Sequence, residues 1–280
     1  MPLPPPPTRS LAKARVTPTV RTITLTQPLH WLRLGWRDMR QCGWLSLLHG
    51  LVLAAIGALF LSLGYDKFWF LAGSFSGFLL VAPVLATSLY ALSRALERGE
   101  KADIHVVLKA WFNWQHTHVS KWTNDYWCLV QFGALLALAG TGWVLTSAAL
   151  ITLLAPVSIA TPLQFLNHVV LAKDGVLFEL WLVLGGVLAA PIFASSAVAI
   201  PLLLDRQATL LQAVLTSWRV VLANPVPMAL WAALIMLLTL LGLSLALLGL
   251  IVVVPVLGHA SWHAYRDLVD ASCLPDWESR

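Results

Sequence analysis

Charge is the scarcest property of this chain. Asp, Glu, Lys and Arg make up only 11% of it, against about 25% in a soluble globular domain. With 59% hydrophobic residues and a mean hydropathy of +0.78, the apolar surface exceeds what a soluble core would bury. Cysteine is also sparse. Cys42, Cys128 and Cys273 all fall on or near the face assigned below to the cytoplasm, where thiols stay reduced, so no disulfide framework is expected. No chain of Asp or Glu crosses an apolar stretch, which leaves an ion-coupled or proton-pumping carrier without a charged path. A phosphate-binding loop, a dinucleotide fingerprint, a nucleophile elbow and a zinc-protease helix are missing too, and the chain reads as no enzyme. The N-terminus lacks a signal peptide's apolar core, so the first span should act as an uncleaved anchor.

What the chain does have is length of apolar run. Five stretches exceed the roughly 20 residues that cross a hydrocarbon core: about Trp44–Gly64, Phe68–Leu92, Trp127–Ala155, Val176–Leu204 and Met228–Tyr265. The last would form a helix of roughly 57 Å, nearly twice a core of roughly 30 Å, and Gly242 and Gly249 near its middle suggest a turn. Splitting it there predicts six spans. A recurring motif agrees. Trp follows a small residue at Gly35-Trp36, Ala110-Trp111 and Ser217-Trp218, and each copy closes with a Pro inside an apolar run, at Pro83, Pro191 and Pro255.

The expected fold is therefore an all-α membrane protein of six transmembrane helices, arranged as three repeated hairpins, each preceded by an amphipathic interfacial helix. The hairpins would occupy about 29–94, 103–206 and 208–268, within one transmembrane domain spanning 29–268. Residues 1–28, rich in Pro and basic, read as a disordered tail, and 269–280 as a short second tail. On this reading all Lys and Arg except Lys67 and Lys173 lie on one side. Excess Lys and Arg marks the cytoplasmic face, so a bacterial inner membrane with both termini cytoplasmic is expected. The net charge of +5 then reflects orientation and contact with the lipid bilayer; nucleic acid is not implied.

Before the first hairpin, Leu29, Leu32, Trp36 and Met39 fall at helical spacing, with Arg33, Arg37 and Arg40 on another face. Such segments lie in the interface, Trp at headgroup level and Arg reaching for phosphate. The expected interfacial anchors are Trp36, Arg37, Trp111, Trp218, Arg219, Trp262 and Arg266. The two insertions of the second hairpin, Asn113–Asp125 and Pro156–Gly175, are places for a partner such as another membrane protein.

Pro83, Pro191 and Pro255 each free the carbonyl four residues back, at Leu79, Val187 and Ile251, and a bilayer offers it no water. The small residues around them point to close helix packing. The sharper alternative is three kinked helices whose freed carbonyls line a polar pocket. His259 and His263 are four apart and share one helix face. That spacing suits a shared metal, or haem ligation by one of them; the plain alternative is a histidine hydrogen-bonded to a neighbouring helix. His49, about six residues into the first span, joins Pro83, Pro191 and Pro255 as a candidate for that polar pocket; the plain alternative is again a hydrogen bond to a neighbouring helix.

The segments Gly35-Trp36-Arg37-Asp38, Leu80-Val81-Ala82-Pro83, Ala199-Ile200-Pro201-Leu202-Leu203-Leu204-Asp205-Arg206 and Gly258-His259-Ala260-Ser261-Trp262-His263-Ala264-Tyr265-Arg266 together resemble a bacterial integral-membrane family, domain of unknown function 2189. The resemblance covers about Leu29–Val269. It implies a multi-spanning inner-membrane protein and supplies no catalytic residue. Some relatives are labelled as similar to subunit I of haem-copper oxidases, which would ask for deep His ligands; His49 and His259 are the deep ones here. Three functions remain open: a non-enzymatic structural or assembly component without cofactor, a passive channel or small-solute permease built on the Pro-bearing helices, and a haem or copper protein using His259 and His263.

Overall fold

The computed structural model describes residues 17–74, 77, 86–112, 127–172 and 176–276. Its helices are α1 (Gln27–Cys42), α2 (Trp44–Gly64), α3 (Thr87–Glu97), α4 (Ile104–Phe112), α5 (Trp127–Leu154), α6 (Leu177–Ser196), α7 (Ala199–Asp205), α8 (Leu210–Ala223), α9 (Pro225–Ser244) and α10 (Leu250–Leu268). Amphipathic helices α1, α4 and α8 stand at the three places where the sequence sets interfacial segments.

Six spans in three hairpins is not what forms. Among the described residues, four helices are long and apolar enough to cross a membrane: Trp44–Gly64, Gln131–Leu154, Leu177–Asp205 and Pro225–Ser244. The third of these joins α6 to α7 through a step at Ala197–Val198. The other two expected spans, Phe68–Leu92 and the one after the turn, are not among these four. Of Phe68–Leu92, residues 68–74 are helical and α3 begins at Thr87; residues 75–76 and 78–85, Pro83 among them, lie outside the described residues. Helix α3 has 11 residues, about 16 Å, and buries Ser88, Leu89, Leu92, Ser93 and Ala95. Helix α10 is long enough, but His259, His263, Arg266 and Asp267 dilute its apolar character. Protein rather than lipid shelters it, because α1, α2, α3 and α9 pack around it.

That packing depends on glycine. A Cβ on Gly35 of α1 would stand 2.5 Å from the Val256 carbonyl oxygen and 2.7 Å from the Ala260 nitrogen. On α2, Gly50 lies directly against the Ile251 carbonyl, the one that Pro255 deprives of its helical donor. A turn between α9 and α10 forms where the long apolar run was divided. Its left-handed residues are Ala246 (φ 54°) and Leu247 (φ 67°), not glycines. Gly242 and Gly249 serve close approach instead: a Cβ on Gly249 would lie 2.7 Å from the Gly242 Cα.

The core gathers where α7, α8, α9 and the end of α10 meet, with Trp31, Trp231, Trp262 and Tyr265 fully buried. Trp31 and Trp231 meet edge to face, with ring centroids 5.5 Å apart. Part of the segment expected to be a disordered tail is ordered. Strand β1 (Thr19–Val20) pairs antiparallel with β2 (Val269–Asp270), Thr19 opposite Asp270 and Val20 opposite Val269, so the two ends of the described chain lie side by side. At another site, Thr161 caps the short helix Pro162–Phe165, and Phe165 stacks on Phe68 at 4.8 Å.

Candidate functional site

The buried face of α1 reads Trp31, Gly35, Asp38, Met39 and Cys42. At helical spacing this places a carboxylate in the middle of the face turned toward α10. Asp38 is 1% exposed, and burial of a charge demands donors. Four come. Ser93 Oγ donates to Oδ2 at 2.9 Å, His263 Nε2 lies 2.7 Å from the same oxygen, and Arg37 Nε and Nη2 donate to Oδ1 at 3.3 and 3.2 Å. Burial alone would raise the Asp38 carboxyl, yet these bonds, that of His263 above all, hold it below its ordinary range.

The serine sets the direction of the neighbouring bonds. Ser93 spends its one hydrogen on Asp38, so it accepts from His259 Nδ1 at 2.7 Å. With Nδ1 protonated in the neutral ring, His259 Nε2 accepts from Ser46 Oγ at 2.8 Å. The result is one directional chain, Ser46 to His259 to Ser93 to Asp38, joined there by His263. It ties together α1, α2, α3 and α10. Ser46, Ser93 and His259 have no exposed surface. One helical turn before Ser46, burial pushes the Cys42 thiol up to about 11 while the Ser46 hydroxyl opposes it, which keeps the thiol protonated.

His49 repeats the arrangement one turn further along α2. Its Nδ1 donates to the Leu45 carbonyl at 2.7 Å, so its Nε2 accepts from Ser88 Oγ at 2.8 Å. His49, His259 and His263 thus all reach partners on other helices. A metal or haem iron would have to displace a serine hydroxyl from His259 and the Asp38 carboxylate from His263. Among the described residues, no three His, Cys, Asp or Glu side chains are grouped as metal ligands.

Two expected anchors are held by protein partners. Trp262 is 1% exposed and donates through Nε1 to Glu97 Oε2 at 2.9 Å. Arg266 donates from Nε to Glu97 Oε1 at 2.9 Å. Both serve the end of α10, whose neighbour Tyr265 donates its hydroxyl to buried Asp205 at 2.8 Å. Trp36 and Trp218, 47% and 37% exposed, and Arg37 and Arg219 do lie on the surface. The Trp111 side chain falls outside the described residues.

Of the three prolines, Pro191 and Pro255 are described. Between their helices lies a cavity of about 300 Å³, walled by Ile192, Phe193, Trp231, Ile235, Val254 and Leu257. Tyr90, Ser196, Thr239 and Ser261 add hydroxyls to a mainly apolar wall to which Val187 and Ile251 do not contribute; Leu79 lies outside the described residues. Sequence reasoning missed Asp38, Ser46 and Ser93. Only Asp38 left a signal, a charge at helical spacing from Trp31, Gly35 and Cys42; the face read from the sequence differs, since its Leu29 and Trp36 are exposed.

Residues 70–205 match the family model described as "Predicted integral membrane protein (DUF2189)". No curated protein and no solved structure matches the chain. The matched segment holds Ser93 but not Asp38, Ser46, His259 or His263, so it is narrower than the resemblance drawn from Leu29 to Val269.

Proposed function

We propose that this chain, which belongs over residues 70–205 to the DUF2189 family of predicted integral membrane proteins, is a non-enzymatic structural or assembly component of a bacterial inner membrane. The observation that carries this reading is the saturation of His259. Its two ring nitrogens are bound by Ser46 and Ser93, and none of the three side chains is exposed. The order serine, histidine, serine, aspartate would suit nucleophilic catalysis, but a substrate has no route to a hydroxyl with no exposed surface. Fully satisfied buried polar chains rigidify and specify a single packing. Here that packing fixes the sheltered helix α10 against three others.

Both termini lie on the cytoplasmic side. This is supported by the pairing of Thr19–Val20 with Val269–Asp270, which keeps the two ends together, and by the excess of Lys and Arg in the N-terminal segment. The test is metal analysis and an optical spectrum on protein purified in mild detergent, with H259A/H263A alongside. A colourless protein without stoichiometric metal is the expected result. A metal or a Soret band that vanishes in the double variant overturns the reading.

The cavity between α6 and α10 favours a second reading, a passive path for a small apolar solute. In liposomes, P191A and P255A would then change the flux of such a solute, and equal fluxes in wild type and variants would dismiss it.

A further inference from the structure

The exposed face of α1 changes character as the chain passes into α2. Along α1 the exposed side chains include Arg33, Trp36, Arg37 and Arg40; past the bend at Gly43 they are Trp44, Leu47, Leu48 and Leu51. Spacings of four and three place the three arginines on one helical face. With His30 and Trp36 they line an open cleft of about 770 Å³. Helix α2 is one of the four apolar helices long enough to cross the membrane, so its exposed leucines meet acyl chains. The cleft therefore ends where the lipid-facing stripe begins. Trp36 and Trp44, 47% and 69% exposed, mark that level as the headgroup layer.

The charges in the cleft are not balanced from within. Arg37 pairs with Asp38 at 3.2 Å, but Asp38 also receives Ser93 and His263. Neither Arg33 nor Arg40 has an acidic partner among the described residues. A cluster of guanidiniums presents parallel N–H donors that match the oxygens of a phosphate.

We propose that this cleft binds one anionic phospholipid. Its phosphate is held between Arg33 and Arg40 beside the free edge of Arg37, and one acyl chain lies along Leu47, Leu48 and Leu51. The site is separate from the saturated histidine chain and does not depend on the non-enzymatic reading. Arg37 touches both, so the bound headgroup braces the side chain that caps Asp38.

The test is lipid retention by native mass spectrometry, after the purified protein is exchanged into micelles holding equal amounts of phosphatidylglycerol and phosphatidylcholine. Wild type should retain phosphatidylglycerol in clear excess. Each arginine near the surface contributes about fivefold in affinity, so R33Q/R40Q should reduce retention by roughly 25-fold. Both positions are exposed, so its melting temperature should match wild type. R219Q, which removes the arginine after Trp218 in α8, should lower retention by no more than about fivefold, the contribution of one surface arginine. The proposal is overturned if R33Q/R40Q retains as much phosphatidylglycerol as wild type. It is also overturned if R219Q loses as much, or if phosphatidylcholine is retained equally well.

Discussion

Ser93 Oγ stands 2.7 Å from His259 Nδ1, joining α3 to α10 across a sequence separation that no local periodicity reports. Its hydrogen goes on to Asp38 at 2.9 Å, so replacing it orphans groups on both sides. S93A leaves His259 Nδ1 without an acceptor and takes a donor from Asp38. The expected cost is about 1–3 kcal/mol. H259A removes a buried ring and strands both serines, for about 2–4 kcal/mol. Thermal unfolding in detergent, followed by tryptophan fluorescence, should rank H259A below S93A. The double variant should cost less than the sum of the two, because they break one network. Strict additivity would dissolve the chain as a unit.

Asp38 sets a pH dependence of definite sign. Its folded carboxyl lies below its ordinary value of 3.8, so the stabilisation it brings is fully present above that pH and is lost as pH falls through the lower folded value. Wild type should therefore show a falling melting temperature below about pH 4. D38N should be less stable at neutral pH and should lack that acid-side contribution. Parallel curves for the two proteins would contradict the assignment.

Glycine substitutions separate packing from propensity. G35A pushes a methyl into the Val256 carbonyl and the Ala260 nitrogen, at 2.5 and 2.7 Å. These are backbone atoms that cannot step aside, and overpacking of this kind costs about 1–3 kcal/mol. G50A meets the Ile251 carbonyl in the same way. Gly142 and Gly186 have no neighbour within 4 Å of an added Cβ, so G142A and G186A should be neutral or stabilise by up to about 1 kcal/mol. Melting temperatures of the four variants decide the matter; equal effects at Gly35 and Gly142 would deny close approach of α1 to α10.

Thiol labelling checks both burial and sidedness. Cys273 is exposed, while Cys42 is buried with its thiol raised to about 11. In a C128S background, an impermeant maleimide should label Cys273 quickly in inside-out vesicles and poorly in intact cells, with Cys42 slow in both. Rapid labelling of Cys273 from outside intact cells would reverse the orientation proposed for the termini.

Much of the fold is legible in the sequence because it is local. The amphipathic faces of α1, α4 and α8 follow from residue spacing, and the turn after α9 follows from the excess length of one apolar run. The number of lipid-crossing helices does not follow, because composition counts polar residues without knowing what encloses them. Helix α10 bears two histidines, an arginine and an aspartate, and it is sheltered by helices drawn from both ends of the chain. His259 and His263 were visible as a pair, but their partners Ser46, Ser93 and Asp38 lie more than 160 residues away. Ser46 and Ser93 look like ordinary small residues of a membrane helix, and nothing local distinguishes them. Trp262 shows the same limit: a tryptophan near a helix end suggests a headgroup anchor, yet this one is buried against Glu97.

The protonation state of His259 decides whether its ring is a structural link or a ligand. Nitrogen NMR of protein carrying labelled histidine, assigned with H259A and recorded with and without added copper or haem, reads each ring nitrogen separately. The expected result is a neutral ring, protonated on Nδ1 and accepting on Nε2, with a spectrum that added copper or haem leaves unchanged. A ring protonated on Nε2, or a His259 resonance shifted or broadened away by the added group, would contradict it and make the chain a ligand site.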